Sequence, residues 1–125
     1  MSGTVVDASA VAAVLFDEPG AEPILASISG TLIAPTLLIY ELASVCTTKL
    51  VRYPRDTQMI LSRYALFGDL EITLAAPDWH TLPTVAREWS LSAYDAAYLQ
   101  LALSEEAPLV TLDARLAAAY DRAAG

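Results

Sequence analysis

The chain predicts an α/β fold, a three-layer α/β/α sandwich around a central, mostly parallel sheet, in one domain spanning residues 1–125. Three observations carry that expectation. Short β-branched runs alternate with longer helical patterns from end to end, as in βαβ units. Apolar residues make up 55% of the chain, somewhat above the usual ~45–50%, and much of the excess is alanine, which lets helices approach a sheet closely. A chain of this length buries roughly two-thirds of the surface that its unfolded form exposes, and no repeat, linker or low-complexity stretch divides it.

Residues 3–7 read as a buried strand around Thr4-Val5-Val6. A short helix over 9–16 follows, closed by the turn signal Glu18-Pro19-Gly20, and a second covers 21–28. Gly30 introduces the strand Thr31-Leu32-Ile33-Ala34. Pro35 and Thr36 open a long helix through Val51, because proline suits a first helical turn. Pro54 breaks it. A helix over 56–66 ends near Gly68, and Leu70-Glu71-Ile72-Thr73-Leu74 alternates like a strand. Pro77-Asp78 begins a helix to Trp89. Ser92-Ala93-Tyr94-Asp95 has the form of a capping box and opens a helix ending near Glu105-Glu106. A strand over 108–111 then feeds the last helix, 113–123.

Several function classes lack their parts. The longest apolar stretch, Leu32 to Tyr40, contains Pro35 and Thr36 and falls far short of the ~20 residues of a membrane span. A signal-like stretch from Val5 to Phe16 is interrupted by Asp7 and has no basic residue before it, so the expectation is a cytoplasmic protein. Cys46, the only cysteine, reads as a buried, inert thiol in a reducing compartment. His80 is the only histidine and reads as a surface helix residue, so zinc chemistry and Cys–His catalysis are excluded. No glycine-rich phosphate loop is present. A phosphotransferase using Asp7 would want a second acid two positions on, where Ser9 stands, and a lysine near the C-terminal strands, whereas Lys49 is the only lysine.

Four acidic residues remain. Asp7 follows the first strand, Asp113 the last, Asp95 lies in the first turn of a helix, and Glu41 lies inside an apolar one. Parallel sheets present functional groups beyond the carboxyl ends of their strands. Taken singly, Asp7, Asp95 and Asp113 read first as helix caps. Glu41 does not: Leu37, Leu38 and Val45 surround it on the helix, and only Ser44 is polar nearby. A lone buried carboxylate is costly unless paired or metal-bound, so Glu41 needs a partner from elsewhere, and a cation shared with the three aspartates would supply one. An all-oxygen donor set favours Mg²⁺ or Mn²⁺. The hydroxyls of Ser9 and Thr111 suit binding a metal water, orienting a carboxylate or, equally, capping locally.

The net charge of −8 argues at first against nucleic acid. Between Lys49 and Arg63, however, four basic residues face only Asp56, a balance of +3, while the rest of the chain carries −11. Lys49, Arg52 and Arg55 are therefore candidates for holding a phosphate backbone. A solvated helix face accounts for them equally well.

In its blocks Val5-Val6-Asp7-Ala8-Ser9-Ala10, Asp17-Glu18-Pro19-Gly20, Glu41-Leu42-Ala43, Leu91-Ser92-Ala93-Tyr94-Asp95-Ala96-Ala97-Tyr98-Leu99 and Leu109-Val110-Thr111-Leu112-Asp113-Ala114-Arg115-Leu116, the chain resembles PIN domains, specifically VapC-type toxin ribonucleases. The blocks keep family order and spacing over essentially the full chain. The resemblance implies a Mg²⁺- or Mn²⁺-dependent endoribonuclease that hydrolyses RNA with a metal-activated water, leaving a 5′-phosphate and a 3′-hydroxyl. It also implies a cognate antitoxin, a homodimer, and contact with DNA only through that antitoxin. It maps the metal-binding and catalytic quartet onto Asp7, Glu41, Asp95 and Asp113. One departure is Ser44, where many relatives carry asparagine one turn after the helical glutamate. The competing expectation is a PIN-like module without activity that only engages an antitoxin or scaffold partner.

Overall fold

The computed structural model describes residues 3–125. Four parallel strands, β1 (Gly3–Val6), β2 (Thr31–Pro35), β3 (Ile72–Ala75) and β4 (Leu109–Val110), form one sheet in the order β3-β2-β1-β4. Seven helices flank it: α1 (Ala8–Leu15), α2 (Ala21–Ser27), α3 (Leu38–Arg52), α4 (Thr57–Ala65), α5 (Leu82–Trp89), α6 (Ala93–Ser104) and α7 (Ala114–Ala124). This is the expected α/β arrangement, and every strand pairing seen is parallel.

The chain lays down β1, β2 and β3 in one direction, then returns to place β4 on the other side of β1. The order therefore reverses at β1, and the crevice beyond the carboxyl ends of β1 and β4 is the fold's topological switch point. As the strand with neighbours on both sides there, β1 is buried from Thr4 to Val6, and the Thr4 hydroxyl is satisfied by donating to the Ser29 carbonyl at 2.8 Å. Leu38 and Leu42 of α3, Tyr98 and Leu99 of α6, and Leu116 of α7 complete the core with Val5. Gly20 opens α2 at φ +99°, a conformation that side chains resist, with the Leu112 side chain 3.3 Å from where a Cβ would stand.

Most element boundaries fall within a residue or two of expectation; two differ for physical reasons. Pro35 ends β2 rather than opening α3. It lacks an N–H, but the ladder resumes one residue on, where the Thr36 amide donates to the Ala75 carbonyl at 3.0 Å, and the helix starts at Leu38. Pro77-Asp78 opens a turn, not a helix. The Asp78 side chain accepts from the His80 amide at 3.3 Å and the Thr81 hydroxyl at 3.0 Å, and Gln100 of α6 bonds the Asp78 amide and carbonyl, each at 3.0 Å. The helix begins only at Leu82, with Pro83 in its first turn. His80 accordingly lies on this exposed turn, its ring edge-on to Trp79 at 5.6 Å. Cys46 is buried, as expected. Among the described residues no helix is long and apolar enough to cross a membrane.

Because Leu116 is fully buried while Leu61 is 47% exposed, Leu116→Ala is expected to lower unfolding free energy by about 2–5 kcal/mol. Leu61→Ala is expected to stay within about 0.5 kcal/mol of wild type. Urea unfolding of both variants checks the assignment of the core.

Candidate functional site

Asp7 ends β1 and caps α1. Its Oδ1 accepts from the Ala10 amide at 3.0 Å and the Ser9 hydroxyl at 2.7 Å, and its Oδ2 accepts from the Thr111 hydroxyl at 2.5 Å. The Thr111 oxygen in turn accepts from the Asp113 amide at 2.9 Å, and Ser9 Oγ accepts from the Leu112 amide at 2.9 Å. Both hydroxyls bond the Asp7 carboxylate, Thr111 also binds a local amide, and together they join the β1–α1 turn to the β4–α7 turn. Asp113 caps α7, its Oδ1 accepting from the Arg115 and Leu116 amides at 2.9 and 3.2 Å.

Asp95 differs from both. Ser92 is the cap of α6, accepting from the Asp95 amide at 3.1 Å, so the Asp95 carboxylate is not used in capping. Glu41 is half-buried in the first turn of α3, and its partner from elsewhere is a tyrosine: the Tyr98 hydroxyl donates to Oε1 at 2.6 Å. The reading of the sequence missed Tyr98. Its signal was a lone phenol in the otherwise apolar run Ala96 to Leu99, one turn after Asp95.

The electrostatics tie these residues together. Burial pushes the Asp7 carboxyl above its usual range, against the bonds from Thr111, Ala10 and Ser9, and Asp113 adds repulsion. Burial also raises Glu41; the Tyr98 bond opposes it, while Asp95 and Asp7 add to it. Asp95 is raised by burial and by Asp113 and Asp7, against Ser92 and the nearby Arg115. The four expected carboxylates thus act on one another at a single edge of the sheet. Among the described residues, however, no three His, Cys, Asp or Glu side chains converge into a ready-made metal cage. The donor set fits a hard divalent cation in its chemistry, carboxylate oxygens flanked by hydroxyls. Direct coordination by all four at once is not prearranged.

The three candidate basic residues lie apart from this edge, at the far end of α3 and beyond it. Lys49 is committed to an ion pair with Glu18 and lies over the Phe16 ring at 4.9 Å. Arg52 lies beside the Tyr53 ring at 5.8 Å. Arg55 is exposed in the 3₁₀ turn Pro54–Asp56.

Raised carboxyl pKa values have a definite sign in stability. The folded state holds protons that the unfolded chain releases, so the cluster's contribution is most favourable below the unfolded value of 3.8 for aspartate and is lost as pH rises through the folded one. Asp95→Asn removes burial of a charge and its repulsion without removing a cap. In chelator it is expected to melt at or above the wild-type temperature at pH 7, with the gain vanishing below about pH 4. A variant clearly less stable than wild type at pH 7 would contradict this electrostatic picture.

A family model described as the PIN domain matches residues 4–122. No curated protein matches the chain in sequence. Among solved structures, PAE2754 from Pyrobaculum aerophilum superposes with a TM-score of 0.74 at 23% identity, covering 98% of this chain and 93% of that one. VapC20 from Mycobacterium tuberculosis, described as a sarcin-ricin loop cleaving toxin, superposes with a TM-score of 0.65 at 16% identity, covering 93% and 94%. At such identities the two structures speak for the fold. With the family model matching nearly the whole length, the chain belongs to the PIN domain family.

Proposed function

We propose that this protein is a metal-dependent endoribonuclease and the toxin of a toxin–antitoxin pair. What supports the proposal is that Asp7, Glu41, Asp95 and Asp113, from four separate elements of a PIN domain, lie near enough for repulsion among them to raise carboxyl pKa values. The toxin reading draws support from a protein of the same fold, VapC20, which is described as cleaving the sarcin-ricin loop. The RNA target of the present chain is a separate matter, set by its own surface.

In this reading the four carboxylates hold Mg²⁺ or Mn²⁺, some directly and some through water. When bound, the cation supplies Lewis acidity, neutralising charge on the scissile phosphate and lowering the pKa of water. The chain's residues do the rest. Thr111 and Ser9 hold the Asp7 oxygens in place. Tyr98 holds Glu41. Asp95, whose carboxylate is not engaged in capping, is placed in this reading to take a proton from an attacking water. Arg115 lies close enough to act on Asp95 and balances part of the negative charge.

A protein partner fits the surface. Tyr40, Val51, Tyr53, Met59, Leu61 and Leu66 of the α3–α4 region are all large, apolar or aromatic, and exposed, an area suited to an antitoxin and to a second copy of the chain. Contact with DNA would then come only through the antitoxin.

Asp7→Asn and Asp95→Asn are each expected to lower Mn²⁺-dependent cleavage of structured RNA by at least about 100-fold, on the scale of removing a metal's supporting residues, while far-ultraviolet circular dichroism stays unchanged. Cleavage at the wild-type rate with the same metal dependence would refute the site. A wild-type protein that cleaves no RNA in Mg²⁺ or Mn²⁺ but co-purifies with a small protein encoded beside it would favour the inactive binding module instead.

RNA grip is separable from chemistry. Reversing Arg52 and Arg55 to glutamate is expected to weaken RNA binding and flatten its salt dependence, because fewer counterions are released. Mn²⁺ affinity is expected to hold, since Arg52 is eleven residues from Glu41 on the same helix, about 16 Å at roughly 1.5 Å per residue, beyond a Debye length of about 8 Å. Filter binding over a salt series, with Mn²⁺ calorimetry alongside, measures both; unchanged RNA binding would make this stretch a solvated surface.

A further inference from the structure

Tyr98 is 1% exposed, buried in the core cluster that also takes Leu99 and Ala102 of α6. A phenylalanine would fill that space as well, so the hydroxyl is the part that needs a reason. It has one: at 2.6 Å it donates to Glu41 Oε1, across 57 residues of sequence. The backbone amide of Ala8, the residue after Asp7, acts on the Tyr98 hydroxyl oxygen. The phenol is buried and faces a carboxylate. Tyr98 also stands three residues after Asp95, and residues three apart share a helix face. One face of α6 thus presents the Asp95 carboxylate and, a turn further in, a clamp on the carboxylate of α3.

We propose that Tyr98 is a positioning residue of the carboxylate site: by taking one oxygen of Glu41 it restrains that carboxylate and leaves the other oxygen for a cation. The proposal rests on the metal-site reading above and adds a residue to it. The geometry supports a positioning role over plain core packing. Tyr120 is the comparison within the same molecule: its hydroxyl bonds the Ala107 backbone carbonyl at 3.1 Å, a link with no carboxylate in it. Supporting hydrogen bonds of this kind typically change metal affinity by about 10–100-fold.

The test is Mn²⁺ calorimetry on the purified protein and on Tyr98→Phe, Glu41→Gln, the double variant and Tyr120→Phe, each also melted in chelator. Tyr98→Phe is expected to weaken Mn²⁺ binding by about 10-fold or more. Glu41→Gln is expected to weaken it too, and the double variant no further, because the hydroxyl acts only through Glu41. Tyr120→Phe is expected to bind as wild type whatever its melting temperature. A readout on the unaltered chain stands beside these: with ¹³C-labelled tyrosine, saturating Mg²⁺ is expected to move the Tyr98 ring resonance and leave that of Tyr120 in place. Wild-type affinity in Tyr98→Phe, an equal further loss in the Glu41→Gln background, or an unmoved Tyr98 resonance would each overturn the proposal while leaving the metal site standing. A wild-type protein that binds neither Mn²⁺ nor Mg²⁺ would overturn both.

Discussion

Asp7 is a carboxylate with only 5% of its surface exposed, and the arrangement around it exists to hold a negative charge there. Burial alone would drive such a group to its neutral form. Three donors oppose that: the Ala10 amide from the first turn of α1, Ser9 beside it, and Thr111 from the far end of the chain. The bond from Thr111 spans 104 residues, so solvating this one side chain also fastens the turn after β1 to the turn after β4. Those two strands flank the reversal in strand order, and Asp7 and Asp113 follow them.

Helix ends make that crowding tolerable. Asp7 and Asp113 cap α1 and α7, and Glu41 and Asp95 lie in the first turns of α3 and α6. All four carboxylates therefore stand at helix N-termini, where unpaired amides and the positive end of the helix dipole favour negative charge. The same parallel topology that brings strand ends to one edge brings helix starts there too. The compensation is incomplete, since Asp7, Glu41 and Asp95 all keep raised pKa values. On the proposed reading, stability is given up at the place where a cation would restore it.

The opposite character marks the end of α3 and the start of α4. Every residue from Val51 to Met59 is exposed, and the stretch combines arginines with large apolar side chains. Lys49 is drawn inward by Glu18 and Phe16, leaving Arg52 and Arg55 as the outward charges. On the proposed reading, one protein carries two surfaces of different chemistry: an acidic edge for the scissile phosphate, and a basic, apolar shoulder for whatever docks beside it.

The α/β class and the four strands of the described residues were legible in the sequence, and the four acidic positions stood out there as candidates. Local signals carry them: β-branched runs, helical periodicity, and a glutamate on an apolar helical stripe where one is costly. The family blocks made the same acidic quartet legible a second way, and the family itself is established by the match over residues 4–122. Strand endings were less legible. Whether Pro35 closes a strand or opens a helix depends on Ala75 lying alongside it, and whether residues 77–81 coil or turn depends on Gln100 reaching across from α6. Only the tertiary structure could decide which innocent reading of each acid holds. Asp7 and Asp113 cap, Asp95 does not, and Glu41 leans on Tyr98, because hydrogen-bond partners 57 and 104 residues away leave no trace in local pattern. Residue type and period act over one or two turns of chain, whereas the solvation of a buried charge is settled by whichever distant groups the fold brings within 3 Å of it.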